Sequence, residues 1–316
     1  MIARTHRCGG VHHPASIDRL PDKSREQDMV EQVRVAVVTG ASSGIGKAIA
    51  KAMARQGWRV IGTGRDPGRL ATAEAEIRGA AAGAQVDMLR ADLSLLDGAL
   101  QLARDIAALT DRVDVLFNNA GGMTDALVMT DEGLEANFAG NHLGPFLLTQ
   151  RLLPLLRKAA ADQPAGAVRI LNTASDASEM IPAINLDDLQ NLERFSPGMA
   201  YCTGKLANVL FARALARRLS GEGIVAHAVH PGAVDSNFFS HAPADTQARS
   251  LGLDKASEAE GADTLVWLAT ETEGGANGGG YWYRRALRTP NPLVDDPAVV
   301  ARFWDESENL IAKHLR

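Results

Sequence analysis

Residues 33–46 read Val-Arg-Val-Ala-Val-Val-Thr-Gly-Ala-Ser-Ser-Gly-Ile-Gly, and this stretch decides the fold. Its first six residues, 33–38, form a short and mostly apolar run that predicts a buried β-strand. The residues that follow the glycines predict an amphipathic helix that ends at Gly57. A strand, a glycine turn and a helix in this order present free backbone N–H groups and a helix dipole to a phosphate. The stretch therefore predicts the beginning of a nucleotide-binding α/β fold.

The spacing of the glycines distinguishes between kinds of nucleotide site. Gly40, Gly44 and Gly46 follow the pattern T-G-x-x-x-G-x-G. A P-loop is excluded, because Ala48 stands where a Ser or Thr would have to bind magnesium. The standard G-x-G-x-x-G fingerprint of dinucleotide-binding proteins does not fit either.

Strand-like and helix-like segments alternate along the rest of the chain. Strands are predicted at 33–38, 59–63, 85–89, 113–117, 168–172, 224–229 and 281–283. The alternation predicts an α/β fold of the Rossmann type, with a doubly wound, parallel, seven-stranded sheet and helices on both faces in a single domain. Residues 33–285 are assigned to this catalytic domain. Residues 286–316 form a tail whose terminal helix, 297–314, packs on the domain or on a subunit interface.

Composition limits the partners of the protein. The 316 residues carry a net charge of −5, which argues against nucleic acid or an anionic membrane as the main partner. Only two cysteines are present, Cys8 and Cys202, so neither a disulfide framework nor a zinc cluster is predicted, and no metal is expected. Residues 1–32 are polar without a regular apolar period and are predicted to be a disordered extension. No run approaches 18 apolar residues, so a cytoplasmic protein without a membrane anchor is expected.

The end of the second strand bears on the choice of cofactor. In a doubly wound sheet this position lies beside the adenosine ribose, where an acid accepts the 2′-hydroxyl of NAD and a guanidinium pairs with the 2′-phosphate of NADP. Gly64 stands at the acid position and Arg65 follows it, which favours NADP(H). Asp66 keeps NAD(H) possible, because a shift of one residue would bring its carboxylate to the ribose. The alternative interpretation of Arg65 is an exposed charge after a strand that binds no ligand.

Tyr201 and Lys205 lie four residues apart in a predicted helix that follows Pro197, so their side chains share one helix face. A phenol ordinarily titrates near pH 10, and a nearby ammonium favours its ionised form. The pair is thus suited to acid–base chemistry. A Tyr-x-x-x-Lys pair is nevertheless common on ordinary amphipathic helices, and its interpretation depends on the rest of the chain.

The remaining motifs follow the predicted strand ends. Asp92, after the third strand, either lies near an adenine or caps the helix of residues 95–109. Residues 118–122, Asn-Asn-Ala-Gly-Gly, end the fourth strand, where small residues let the backbone approach a flat ligand and Asn amides can connect the strands. Ser175 follows the fifth strand, and His230-Pro231-Gly232 follows the sixth.

Taken together, these motifs resemble those of the classical short-chain dehydrogenases/reductases. The resemblance covers residues 33–316 and rests on motifs that occur in the order of the family: 39–46, 118–121, Asn141, Ser175, Tyr201 with Lys205, and 230–232. Within the family the chain is most similar to the branch of retinol dehydrogenases and WW-domain oxidoreductases. That similarity lies in residues 141–149 and 201–208, in the tail from Gly280 to Ser307, and in the long gap between Ser175 and Tyr201. Bacterial polyketide ketoreductases look similar as well.

The resemblance implies a role for each matching residue. Tyr201 is the acid–base residue, Lys205 lowers the pKa of Tyr201 and holds the nicotinamide ribose, and Ser175 hydrogen-bonds the substrate oxygen. Asn141 positions a water that links Lys205 to solvent. The residues implied to bind the cofactor are Gly40, Ser42, Ser43, Gly44, Ile45, Gly46, Arg65, Asp92, Leu93, Asn119, Ala120, Gly121, Tyr201, Lys205, Pro231, Gly232 and Val234. His142 and His230 are expected to be structural.

Substrate contacts are expected from two loops that overhang the sheet, residues 176–199 and 233–258. The candidates are Met180, Phe195, Met199 and Phe238. Their apolar character predicts a small hydrophobic ketone, aldehyde or alcohol, although many apolar residues of these loops must cover the core. The predicted function is an NADP(H)-dependent alcohol dehydrogenase or carbonyl reductase that works by direct hydride transfer. The alternatives are an NADP-binding sensor or scaffold without turnover, and an enone reductase or epimerase that uses the same site. The resemblance makes a homodimer or homotetramer possible.

Overall fold

The computed structural model describes Met1 and residues 33–236, 238, 240 and 242–315. The predicted disordered extension, 1–32, therefore lies outside the described residues apart from Met1. Residues 33–316 form one compact unit. Its strands are β1 Val35–Val38, β2 Arg59–Gly64, β3 Val86–Arg90, β4 Val115–Asn118, β5 Val168–Thr173, β6 Ile224–Val229, β7 Tyr281–Tyr283 and β8 Ala286–Leu287.

The strands form one sheet in the order β3-β2-β1-β4-β5-β6-β7-β8. Neighbours from β3 through β7 run parallel; in β1 and β2, for example, Val35 pairs with Arg59. The order changes direction between β1 and β4. In doubly wound sheets a ligand crevice opens at this point, outside the carboxyl ends of the strands.

The sheet has eight strands rather than the predicted seven. β8 turns back antiparallel on β7, with Trp282 opposite Leu287. The turn between them places Arg284 and Arg285 at φ values of 48° and 59°. Two-residue hairpin turns of this kind normally carry Asn or Gly, because those residues tolerate positive φ. Two arginines give no such signal, and the two-residue strand β8 was missed for that reason.

Helices cover both faces of the sheet. They are α1 Gly44–Arg55, α2 Pro67–Arg78, α3 Leu96–Leu109, α4 Ala136–Phe138, α5 Gly144–Ala161, α6 Pro197–Arg218, α7 Ala244–Ser250, α8 Glu258–Thr270 and α9 Pro297–His314. Helices α1 and α8 bury Ile49, Met53 and Leu265 in the apolar cluster on one face. Helices α3, α5 and α6 contribute Leu102, Leu152 and Phe211 among others to the larger cluster on the other face. None of the described helices is both long and apolar enough to cross a membrane.

The C-terminal helix α9 packs on α5 and α6. The buried ring of His142 lies 4.8 Å from Phe303 of α9 and 5.8 Å from Phe211 of α6, centroid to centroid. Its Nε2 is 2.9 Å from Oγ of Ser307. Burial lowers the pKa of His142 to about 3, so the ring is neutral. His142 is a structural residue that connects α9 to the centre of the domain.

Candidate active site

The glycine turn after β1 is fastened to the end of β4 by Thr39. The Thr39 hydroxyl donates to the carbonyl of Phe117 and accepts from the N–H groups of Asn119 and Ala120. Gly40 has a φ of 70°, and a Cβ on Gly46 would lie 2.2 Å from the Gly40 carbonyl oxygen. Only glycine fits at these two positions, because one needs positive φ and the other a close backbone approach.

The end of β2 forms the side of the cleft where the sequence predicts the adenosine ribose. Arg65 is exposed there and lines the cleft, and so does Arg69 from the first turn of α2. Asp66 is used differently, because its Oδ1 accepts from the Arg69 N–H at 2.7 Å and caps α2. Arg69 is not indicated by the sequence motifs; it lines the cleft because α2 begins at Pro67, just after β2.

Asp92 lines the cleft and does not cap α3. Its Oδ1 accepts from the backbone N–H of Ser94 at 3.0 Å and from the Ser94 hydroxyl at 2.7 Å. The first N–H groups of α3 are bound instead by Glu132, whose carboxylate accepts from Leu96 at 2.6 Å and from Asp97. The cap is supplied from 36 residues away. Of the two predicted roles of Asp92, the capping of α3 is therefore wrong, and the role near an adenine stays a prediction.

Asparagine amides connect the strand ends, as the sequence predicts: Asn118 joins β4 to β5, and Asn119 joins the end of β4 to the end of β1. The Asn118 amide donates to Asn172 Oδ1 and to Thr149 Oγ1, both at 2.9 Å. Asn119 donates to the Thr39 carbonyl at 3.0 Å. These bonds hold the strand ends at fixed separations beneath the cleft.

Asn141 lies in a π-helical turn, Ala139–Leu143, that joins α4 to α5. Its amide nitrogen donates to the carbonyls of Gly122 and Asn137 at 2.9 and 2.8 Å. Its buried Oδ1 has no hydrogen-bond partner among the described residues. A Cβ on Gly121 would lie 2.4 Å from this oxygen and 3.2 Å from the Lys205 ammonium, so both polar groups face the same small space. π-Turns of this kind are frequent at functional sites.

Tyr201 and Lys205 both point from α6 into the cleft. Lys205 Nζ donates to the Thr173 carbonyl at 3.2 Å and lies 5.6 Å from the centre of the Tyr201 ring. Burial lowers the pKa of Lys205 to about 8. Burial raises the pKa of Tyr201 above its ordinary value, while a hydrogen bond with Ser175 acts in the opposite direction. Without a ligand, Tyr201 is therefore a phenol at neutral pH.

Ser175 begins a 3₁₀ turn that several side chains hold in place. Its Oγ accepts from the Ala177 N–H at 3.2 Å, and the Asp176 N–H donates to His230 Nδ1 at 3.2 Å. Farther along the turn, Arg288 forms a two-point ion pair with Glu179 at 2.6 and 2.9 Å. Asn291 donates to the carbonyls of residues 178 and 181. The segment after β7 thus clamps the turn that carries Ser175.

The structure gathers nearly all predicted site residues around one cleft of about 1040 Å³. All four predicted catalytic residues and all predicted cofactor-binding residues line it, and so do Met180 and Phe238. The Phe238 ring packs against the Tyr201 ring in a tilted arrangement, with 5.2 Å between the ring centroids. Phe195 and Met199 are not among the lining residues; Met199 lies in the first turn of α6 and is 40% exposed on the surface. Among lining residues that the sequence did not indicate are Arg69, Met123 and Val128, whereas Asp176 and Leu253 lie in the two loops expected to contact the substrate.

Comparison with known proteins identifies the family to which this chain belongs. Residues 34–247 match the family described as short chain dehydrogenase. The chain belongs to this family. Over 284 residues the short-chain dehydrogenase is 38% identical to a protein of Streptomyces sp. (strain C5) provisionally named a daunorubicin C-13 ketoreductase, covering 90% of this chain and 94% of the relative. It is 34% identical to human retinol dehydrogenase 13 over 287 residues, which are 88% of this chain and 84% of the relative.

A solved structure supports the same assignment. The short-chain dehydrogenase matches RhlG of Pseudomonas aeruginosa, solved as an NADP active-site complex, with a TM-score of 0.63 and 29% identity over 78% of this chain and 93% of that one. The protein is therefore an NAD(P)-dependent oxidoreductase of alcohols or carbonyl compounds in the retinol dehydrogenase branch of its family.

The residues at the cleft of this short-chain dehydrogenase fit a nicotinamide dinucleotide. The glycine turn supplies a close backbone approach at Gly46, and Arg65 and Arg69 supply positive charge at one end. The unpartnered Oδ1 of Asn141 faces the space beside Lys205 at the other end. No group of three or more His, Cys, Asp or Glu side chains placed to hold a metal ion occurs among the described residues.

Proposed function

We propose that the protein is an NADP(H)-dependent oxidoreductase that interconverts a hydrophobic ketone or aldehyde and its alcohol. The observation that carries the proposal is the convergence of Ser175, Tyr201 and Lys205 on one wall of the cleft that the glycine turn opens. A proton donor, a hydrogen-bond donor and a cation meet there at the carboxyl edge of the sheet. This is the equipment that a carbonyl group needs when it accepts a hydride.

Each of these side chains has a defined part in the reaction. The cofactor, when bound, supplies the hydride. Tyr201 donates its phenolic proton to the carbonyl oxygen during reduction and takes it back during oxidation. Ser175 donates a hydrogen bond to the same oxygen and stabilises the charge that develops on it. The Lys205 cation favours the ionised form of Tyr201 after proton transfer, and Asn141 connects Lys205 to water.

The basic end of the cleft supports NADP(H) over NAD(H). Arg65 and Arg69 both line it, and a guanidinium pairs well with a phosphate. Asp66 has the carboxylate that could have bound a free 2′-hydroxyl. That carboxylate instead accepts a hydrogen bond from the N-terminus of α2. The NADP complex of the Pseudomonas relative agrees with this preference. Gly40, Gly46, Asn119 and Pro231 are among the residues that would hold the rest of the cofactor.

The substrate end of the cleft supports a hydrophobic substrate. Met123, Val128, Met180, Phe238 and Leu253 line it with apolar surface. Phe238 stacks near the ring of Tyr201, which places apolar surface next to the reacting centre. The names of the relatives, a ketoreductase and a retinol dehydrogenase, describe the same alcohol–carbonyl chemistry.

The proposal is tested by following the oxidation of NADPH and NADH at the nicotinamide absorbance across a panel of hydrophobic ketones, aldehydes and enones. We expect turnover with NADPH on ketones or aldehydes and much slower turnover with NADH. Product analysis separates reduction of the carbonyl from reduction of a carbon–carbon double bond. Tight NADPH binding without turnover on any compound would replace the proposal with a sensor function.

A further inference from the structure

The residue after the catalytic serine carries a carboxylate into the active-site cleft. Asp176 lines the cleft, and its side chain is 61% exposed. Ser175 Oγ donates to Asp176 Oδ1 at 3.0 Å. A serine hydroxyl has a single proton, so while Ser175 binds Asp176 it cannot donate to a substrate. Reduction of a carbonyl thus requires Ser175 to turn its proton from Asp176 to the substrate oxygen.

When the Ser175 hydroxyl rotates toward the substrate, the Asp176 carboxylate loses its hydrogen-bond donor. The single ion-pair neighbour of Asp176 among the described residues is His230, whose Nε2 lies 3.8 Å from Oδ2, beyond hydrogen-bond distance. Burial lowers the pKa of His230, and its Nδ1 accepts from the Asp176 N–H, which keeps the ring neutral and fixed. The nearby Arg288 is occupied by its two-point pair with Glu179.

Water serves this exposed carboxylate while the cleft is open, but a substrate that fills the cleft displaces that water and must then supply the donor itself. A carboxylate only accepts hydrogen bonds, so the substrate group must be a donor. Because Asp176 Oδ1 lies 3.0 Å from the oxygen that binds the carbonyl, the donor must be close to the carbonyl in the substrate. A hydroxyl on the neighbouring carbon meets both requirements. The apolar lining of Met180 and Phe238 can then hold the rest of the molecule.

We propose that Asp176 is a specificity-determining residue that selects hydrophobic ketones with a hydroxyl group on the carbon next to the carbonyl. The inference rests on the proposed ketone reductase activity and names its substrate class. In the selected complex, Ser175 and Tyr201 donate to the carbonyl oxygen and the substrate hydroxyl donates to Asp176. An ether in place of the hydroxyl leaves the carboxylate facing only acceptors.

Three matched ketones test the selection: acetophenone, 2-hydroxyacetophenone and 2-methoxyacetophenone. The hydroxy and methoxy compounds withdraw electrons from the carbonyl to similar extents, but only the first offers a donor. A hydrogen bond to a charged group is worth enough to expect a kcat/KM at least about tenfold higher for the hydroxy ketone than for the methoxy ketone. We expect Asp176→Ala to bring this ratio close to one, because the acceptor that distinguishes the two ketones is lost.

Asp125→Ala is the matched control, because Asp125 is another exposed carboxylate that lines the same cleft. The ratio of the two kcat/KM values should not change in this variant. Asp176→Asn is a second variant that keeps the side-chain shape and can still accept from Ser175, and it should give an intermediate ratio. The ratio is measured within each protein, so a partial loss of folded enzyme does not affect it.

The outcomes separate the two proposals. If none of the three ketones, nor any compound of the wider panel, is reduced with NADPH, the proposed function fails and the selection by Asp176 fails with it. If the ketones are reduced but wild type shows equal kcat/KM for the hydroxy and methoxy compounds, only the selection is overturned. A preference for the hydroxy ketone that persists in Asp176→Ala would overturn it as well, since the preference would then come from another residue.

Discussion

Tyr201 and Lys205 lie on one face of α6, and burial moves their pKa values in opposite directions. The phenol becomes harder to ionise, and the ammonium becomes easier to neutralise. In this state Tyr201 carries the proton that reduction of a carbonyl consumes, although burial also makes that proton harder to release. Oxidation of an alcohol requires the phenolate, whose stabilisation must come from the Lys205 cation.

We therefore expect Tyr201→Phe to lose at least 10²-fold in kcat, a loss typical of removing a general acid. The phenyl ring keeps the stacking with Phe238, so the cleft should still bind NADPH. Steady-state assays and a fluorescence titration with NADPH measure the two quantities on the same preparation. Turnover within tenfold of wild type would remove Tyr201 from the mechanism.

The positions of Arg65 and Arg69 predict a preference for NADPH over NADH. Arg65→Ala should weaken NADPH binding by about tenfold or more, because a charge-assisted contact to the 2′-phosphate is lost. NADH has no such phosphate and should bind nearly as before. Arg104→Ala removes an exposed arginine of α3 that does not line the cleft, and it should change neither Kd. Equal losses for NADPH and NADH in Arg65→Ala would contradict the assignment of the 2′-phosphate.

At the scale of elements, the segment that contains the short hairpin β7–β8 contacts the 3₁₀ turn after β5. Arg288, just after β8, pairs with Glu179 at the end of the turn that begins with Ser175. The Tyr281 hydroxyl of β7 also donates to Glu179, at 2.9 Å. The arginine guanidinium holds the pKa of Glu179 below its usual value, against the effect of burial. A strand of two residues thus helps to position a residue of the active site.

Loss of this contact should affect catalysis more than binding. We expect Arg288→Met to lower kcat by about tenfold with little change in the Kd for NADPH, because small displacements of a reacting group are costly. Arg285→Met is the control, since Arg285 of the same hairpin pairs with Asp263 on the surface and does not touch the turn. Equal kcat values in the two variants would show that the Glu179 pair only stabilises the fold.

At the scale of the whole molecule, α9 completes an aromatic core that α5 and α6 leave open. Phe303 is fully buried there, and Trp304 packs 4.6 Å from Phe146. We expect Phe303→Ala to lower the free energy of unfolding by about 3–5 kcal/mol, as large-to-small changes in cores do. Leu251→Ala, at a residue that is 83% exposed, should change it by less than about 0.5 kcal/mol. Urea unfolding measures both, and a small loss in Phe303→Ala would show that α9 is dispensable for stability.

His142 links this core to pH. Its pKa is lowered to about 3 in the folded protein, so the unfolded chain binds a proton near pH 6.5 that the folded protein cannot bind. Stability from this group is therefore complete above pH 6.5 and is lost as the pH falls toward 3. Between pH 7 and 5.5 the loss from His142 amounts to about 1 kcal/mol.

The variant His142→Gln, which does not titrate, tests this contribution. It should be less stable than wild type at both pH values, but its loss between pH 7 and 5.5 should be smaller than that of wild type by about 1 kcal/mol. His227, whose pKa burial also lowers, to about 4, is present in both proteins and cancels in the comparison. If wild type and His142→Gln lose the same free energy of unfolding between pH 7 and 5.5, the acid sensitivity comes from other groups.

The sequence by itself determined the features that depend on neighbouring residues. The glycine spacing of residues 39–46, the alternation of strands and helices, and the four-residue spacing of Tyr201 and Lys205 are local patterns. Local patterns suffice for them because backbone conformation and helix periodicity act over a few residues. Seven of the eight strands and the family were predicted in this way.

Only the tertiary structure decided what distant segments do to one another. Phe195 and Met199 have the right chemistry for a substrate site, but neither residue lines the cleft. Arg69 joins Arg65 because α2 begins at Pro67, just after β2, and Glu132 caps α3 in place of Asp92. Asp176 is unremarkable in the sequence and acquires its meaning from Ser175 and from the cleft. Contacts of this kind depend on the closing of long loops and on packing, which no pattern of neighbouring residues encodes.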